Sequence, residues 1–175
     1  MGYSTDFNGS FGLSRPLTET EKNYINCLAS TRRVKRDSDT LMKLYKGEHG
    51  IPTAKEKTAE AIYGTEGEFF CKDDGNFGQT GDESVLDGNN PASTQPGLWC
   101  QWVINNEGTQ LEWDGGEKFY NYTQWLEYII ENFLKPWGVI VNGETEWQGE
   151  ESDDFGKIIV TENEIKILEG RRVYE

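Results

Sequence analysis

An α+β fold, a mostly antiparallel sheet with one long amphipathic helix and one or two shorter helices packed on it, is what the sequence predicts from three features. Apolar residues alternate with polar ones in short runs near both ends of the chain. One segment, residues 122–134, carries Tyr122, Trp125, Leu126, Ile129, Ile130, Phe133 and Leu134 at helical intervals of three and four. The links between the last apolar runs are too short for crossover helices, so those strands pair antiparallel, and no strand–helix alternation supports a doubly wound sheet.

Taken in order, Tyr3, Thr5, Phe7, Gly9, Phe11 and Leu13 have the period of a half-buried strand. Thr18 and Glu21 stand in capping-box spacing ahead of Tyr24, Ile25 and Leu28, which predicts a helix over 19–33. Leu41, Met42 and Leu44 suggest a short second helix over 39–45, ended by Gly47. Residues 47–97, broken by Gly, Asn, Asp, Ser and Pro around an apolar patch at 68–71, read as long loops with room for one strand. Runs at 98–104 and 109–113, linked by Asn105, Asn106, Glu107 and Gly108, make a hairpin. Lys135, Pro136 and Gly138 stop the main helix. A meander over 139–141, 144–148, 157–161 and 164–168 closes the chain, with a tight turn at Glu162 and Asn163. No internal repeat is seen, and the 175 residues are expected to form a single domain.

The core should be rich in rings, since 6 Trp, 8 Tyr and 8 Phe supply much of a modest apolar content. Net charge is −14, and it is unevenly spread. Residues 1–60 hold 10 Lys and Arg against 8 Asp and Glu, net +2; residues 61–175 hold 7 against 23, net −16. Such an acidic body disfavours nonspecific binding to nucleic acid or anionic lipid. Three widely spaced cysteines, Cys27, Cys71 and Cys100, with no CxxC pair, suit free thiols in a reducing compartment, and one histidine, His49, makes no His-rich metal centre. No apolar run is long enough to span a bilayer and the opening residues lack the order of a signal peptide, so the expectation is a cytoplasmic protein without membrane contact, cofactor or metal.

Several polar clusters could carry function. Glu112, Asp114 and Glu117, with Lys118, surround the turn into the main helix; carboxylates so spaced can hold a divalent ion or exchange protons, and equally they can stabilise a turn and a helix N-terminus. Arg32, Arg33, Lys35 and Arg36 could grip phosphate or a partner's carboxylates, or pair with the acidic body. Glu150, Glu151, Asp153 and Asp154 form an acidic loop without the ligand order of an EF-hand. The tryptophans around residue 100 could make a stacking platform, although a core role is favoured. His49 stands in no triad motif, and the glycine-rich segments 74–81 and 114–116 match neither a P-loop nor a dinucleotide fingerprint.

Certain strings are specific: Met1-Gly-Tyr-Ser-Thr-Asp-Phe7; Ser30-Thr-Arg-Arg33 with Lys35-Arg-Asp37; Gln95-Pro-Gly-Leu-Trp-Cys-Gln-Trp102; Leu111-Glu-Trp-Asp-Gly-Gly-Glu-Lys-Phe-Tyr120; and Asn142-Gly-Glu144 with Trp147-Gln-Gly-Glu150. By these the chain resembles a family of small proteins of unknown function from actinobacteria, other bacteria and phages. The resemblance implies a cytosolic bacterial or phage origin and supplies no activity. It also directs attention to the polar residues inside the strings, Gln148 and Glu150 among them.

The favoured expectation is therefore a non-catalytic interaction protein, an accessory factor of a phage or mobile element, whose acidic surface meets a basic protein partner rather than nucleic acid. The alternative is a small-molecule or nucleotide binder, with enzymatic activity left open, that takes an anionic ligand between Arg32–Arg36 and Glu112–Lys118. The oligomeric state is not set by the sequence.

Overall fold

The computed structural model describes residues 2–73, 75 and 81–175. Its elements are β1 Thr5–Leu13, α1 Glu19–Ser30, β2 Val34–Arg36, α2 Ser38–Tyr45, α3 Ala59–Tyr63, β3 Val85–Pro91, β4 Trp102–Ile104, β5 Gln110–Trp113, α4 Tyr122–Ile129, β6 Val141–Gly149, β7 Phe155–Thr161 and β8 Glu164–Glu169. The chain forms two compact units: a sheet unit, Met1–Leu17 with Gln101–Glu175, and an inserted unit, Thr18–Cys100.

The sheet unit is built on six strands in the order β4-β5-β1-β6-β7-β8, antiparallel at every pairing. Its longest pairing joins β1 to β6 from Thr5↔Gly149 to Leu13↔Val141. Glycine is required where these two backbones close on each other: at Gly9 (φ +121°) an added Cβ would lie 2.5 Å from the Glu144 carbonyl oxygen. Glu162 and Asn163, at φ 48° and 70°, make the left-handed two-residue turn between β7 and β8 that the right-handed twist of paired strands favours.

Side-chain alternation then sorts the sheet into two faces. On the inner face, Phe7 and Phe11 of β1 line up with Leu111 of β5, Thr145 and Trp147 of β6, and Ile158 of β7. Phe7 lies 5.3 Å from Trp102, 5.9 Å from Phe119 and 4.9 Å from Tyr122, each edge to face. The Trp102 indole N–H donates to the Tyr122 carbonyl at 2.8 Å, so the hairpin strand is tied to the first turn of α4. Trp102, Trp125, Leu126, Ile129 and Phe133 are fully buried, and edge-to-face ring pairs add about 0.5–1.5 kcal/mol each beyond area burial.

The expected long helix is not formed as such. α4 has 8 residues and passes directly into a 5-residue π-helical turn, Ile130–Leu134. The Lys135 N–H reaches back five residues to the Ile130 carbonyl at 2.8 Å, and this wider turn keeps Ile129, Ile130, Phe133 and Leu134 all inside. The predicted hairpin is also shorter than expected: residues 98–101 lie outside any strand, and pairing begins at Trp102↔Trp113.

The shorter helices belong to the inserted unit, alongside a two-stranded antiparallel pairing of β2 with β3, rather than to the six-stranded sheet. The capping box forms as the spacing predicts: Glu21 N–H donates to the Thr18 hydroxyl at 3.1 Å, and Thr18 N–H to the Glu21 carboxylate at 2.9 Å. α1 stops at Ser30, three residues before its expected end. Asp37 caps α2 by accepting from the Thr40 N–H at 3.0 Å, and Lys46, in the left-handed region, ends it one residue before the expected Gly47. The loop-rich stretch contains α3 and β3, and it supplies Ile62, Tyr63 and Phe70 to a small core with Leu41. Most of the glycine-rich segment 74–81 lies outside the described residues.

Candidate functional site

Because register partners share a face, the outer face of the six-stranded sheet can be read directly from the pairing. It presents Asp6, Asn8 and Ser10 of β1, Gln110 and Glu112 of β5, Glu144, Glu146 and Gln148 of β6, Phe155, Lys157 and Ile159 of β7, and Lys166 and Leu168 of β8. Asp6, Glu144 and Glu146 are exposed, while Lys157 reaches two carboxylates at once, Glu146 at 3.7 Å and Glu144 at 4.0 Å. Exposed pairs of this kind contribute little to stability, so the face carries a surplus of negative charge that the fold does not consume.

A groove of about 520 Å³ lies on this side of the sheet, bordered by Asp6, Glu146, Gln148, Phe155, Lys157 and Leu168. Phe155 and Leu168 supply apolar lining, beside the carboxylates of Asp6 and Glu146, the Gln148 amide and the Lys157 ammonium. Gly156 also lines it, and on the inner face, where it pairs with Trp147, a Cβ would collide with the Trp147 ring and the Leu168 carbonyl oxygen. At one end the Arg172 guanidinium stands 6.0 Å from the centre of the Phe155 ring and donates to the Ser152 carbonyl at 2.8 Å.

Beside the groove, the acidic loop after β6 acts as a clasp. Asp154 accepts from the Tyr3 hydroxyl at 2.6 Å and from the Trp147 indole N–H at 3.0 Å. Bonding to that carboxylate raises the Tyr3 pKa above its ordinary value. Glu150 accepts from the Ser4 N–H at 2.7 Å, and the Gln148 amide donates to the carbonyls of Gly149, Glu151 and Asp154 at 3.1, 3.1 and 3.2 Å. Gln148 and Glu150 are thus engaged in holding the loop and the first residues together.

The remaining candidates fall into two groups. Glu112 lies on the outer face, whereas Asp114 accepts from the Gly116 N–H at 2.7 Å and closes the turn after β5. Glu117 offers its backbone carbonyl to the Gln101 amide at 2.8 Å, and Lys118, at φ 58°, donates its N–H to Ser4. These residues shape a turn, and among the described residues no three His, Cys, Asp or Glu side chains gather as a metal site.

The basic cluster sits in the inserted unit and its donors turn inward. Arg36 is 3% exposed; it pairs with Asp82 at 3.3 Å, donates to the Ser84 hydroxyl at 2.8 Å and stacks 4.8 Å over Phe70. Arg33, 2% exposed, donates to the carbonyls of Glu68 and Phe70 at 2.7 and 2.6 Å. Arg32 donates to the Gly88 carbonyl, and Lys35 pairs with Glu66 at 3.7 Å. A cluster that reads as an anion grip is used, in Arg33 and Arg36, to order loops that lack regular backbone pairing.

The groove residues Phe155, Lys157 and Leu168 were not singled out by sequence reading. The signal was present in the alternation of Glu144, Glu146 and Gln148 against Thr145 and Trp147, which marks one polar and one buried side of the same strand. Among the described residues no helix is long and apolar enough to cross a membrane. The chain matches no protein-family model, no curated protein and no solved structure.

Proposed function

We propose that this is a non-catalytic interaction protein, an accessory factor of a phage or mobile element, whose outer sheet face receives an extended, basic segment of a protein partner. The observation that carries the reading is the groove lined by Asp6 and Glu146 and by Phe155 and Leu168, on a face whose carboxylates the fold leaves to solvent. Carboxylates steer and orient a cationic segment, and the apolar lining gives it surface to bury. β8 stands at the end of the sheet order with Ile167 and Leu168 about 40% exposed, so an extended partner can also add backbone hydrogen bonds there. Small anionic ligands are disfavoured on this face by charge.

The test separates location from net charge. E144K/E146K and E127K/E131K change total charge equally, the first on the outer face and the second on exposed positions of α4 and the π turn. In pull-downs from bacterial lysate at low and high salt, a specific partner is retained by the wild type and by E127K/E131K and lost with E144K/E146K. Equal loss from both variants, or retention of nothing at either salt, rejects the proposal.

A further inference from the structure

A second pocket, of about 400 Å³, lies wholly within the inserted unit and joins residues far apart in sequence: Asn23, Tyr24 and Cys27 of α1, His49 and Gly50 after α2, and Cys71. Cys27 is partly exposed at this pocket, while Cys71 is 4% exposed. The Cys71 thiol lies 3.9 Å from the Tyr24 carbonyl, one turn before Cys27 on the same helix, and both cysteines line this one pocket. Backbone bonding fixes the loop that carries Cys71, since its N–H donates to the His49 carbonyl at 2.9 Å.

Arg33 bonds the carbonyl of Phe70, the residue before Cys71. Its second guanidinium nitrogen serves the carbonyls of Glu68 and Phe70, but its Nε and Nη1 are buried and meet no hydrogen-bond acceptor among the described residues. Its charge reaches both thiols. A buried cation with two unbonded nitrogens favours negative charge nearby, and a thiolate in this pair would add to that of Asp73.

We propose that Cys27 and Cys71 form a hydroperoxide-oxidisable thiol pair, with Cys27 as the attacking thiolate and Cys71 as the resolving thiol. The Cys27 sulfur attacks the terminal oxygen of a hydroperoxide: the S–O bond forms, the O–O bond breaks, and the departing alkoxide or hydroxide takes a proton and leaves as alcohol or water. Sulfur is oxidised by two electrons to the sulfenic acid and the peroxide is reduced. Cys71 then attacks the Cys27 sulfur; the S–S bond forms, the S–O bond breaks, and the hydroxide leaves as water with the Cys71 proton. The two thiols divide these roles by environment. Hydrogen bonding from Cys71, then from Thr31, and the Arg33 charge bring the Cys27 thiol down to about 7 against burial and the Asp73 charge, whereas its bond to Cys27 and its burial hold Cys71 well up and protonated.

The test uses the full chain, reduced and then exposed to hydrogen peroxide under native conditions. Intact mass falls by about 2 Da, and peptide mapping finds Cys27 joined to Cys71, with Cys100 unmodified. C71S accumulates a sulfenic acid at Cys27 that a dimedone probe captures, and C27S yields neither product. Iodoacetamide labelling of Cys27 in C71S, which needs no second thiol, reports whether that variant retains its pocket: a native rate distinct from that of the unfolded chain shows that it does. In the wild type, the labelling rate of Cys27 rises with an inflection near pH 7, with Arg33, Asp73, Cys71 and His49 as the charged or titratable groups around it. R33M moves that inflection upward. No 27–71 linkage in the native protein while the unfolded chain oxidises, or a linkage that forms equally fast at Cys100, overturns the proposal.

Discussion

The two units solve the same problem with different materials. In the sheet unit, long strands in continuous register satisfy their own backbone groups, and rings fill the interior, so polar side chains on the far face are left over. In the inserted unit, three short helices and a β2–β3 pairing with two register shifts leave many loop carbonyls to be satisfied by side chains: Arg33, Ser38, Tyr63 and Gln95 all donate to backbone carbonyls. Regular backbone pairing sets charge free for outside use; irregular backbone absorbs it. Hence the acidic residues of one unit are available to a partner while the basic residues of the other largely are not.

Substitutions can sharpen this contrast, beginning with the largest expected effect. Trp102→Ala empties the centre of the ring cluster and removes the bond to Tyr122, and should cost about 3–5 kcal/mol in denaturant unfolding. Arg36→Ala strands Asp82 and opens the loop after residue 81; with Asp82 partly solvated, a loss of about 3 kcal/mol is expected, read by hydrogen exchange within residues 34–40 and 82–91. Asp37→Ala removes a helix cap and should cost about 1 kcal/mol. At the small end, E144K/E146K should change stability by about 0.5 kcal/mol or less while abolishing partner capture.

Acid offers an independent way to divide the units. Hydrogen bonds from Thr40 hold the Asp37 carboxyl below its usual range, bonds from Ser93 do so for Glu66, and bonds from Asn90 and Asn89 for Asp87. For Asp82, burial works the other way but is outweighed by Ser84, Tyr45 and Arg36. A carboxyl whose folded pKa is depressed contributes stability that is complete above its unfolded value, about 4, and that is lost as pH falls through the folded value. All four lie in the inserted unit. Hydrogen exchange followed down from pH 5 should therefore show protection falling first in residues 18–100; simultaneous loss in both units would erase the distinction.

Much of the fold was legible because local chemistry and final structure agree. The Thr18–Glu21 capping box, the alternation in β1, the Glu162–Asn163 turn and the last two strands formed where their signals lie, while the expected runs 139–141 and 144–148 are replaced by one unbroken strand, Val141–Gly149. Two features were hidden for physical reasons. The apolar stripe at 122–134 is compatible with both an α-helix and a wider turn, and packing rather than periodicity chose the π geometry at Ile130. In residues 47–97, structure comes from contacts distant in sequence, such as Arg36 with Asp82 and Tyr24 with Phe69, which no local window displays. The same limit applies to the sites: alternation marks an outward carboxylate, but nothing near Cys27 in sequence announces Cys71.

Asp154 bonds Tyr3 with one oxygen and the Trp147 indole with the other, so the anchoring of the first residues is wired to an intrinsic fluorophore. Clipping residues 1–4, or fusing a bulky tag before Tyr3, should alter Trp147 emission with no label added. That gives an optical readout of whether a partner arriving at the neighbouring groove also dislodges the start of the chain.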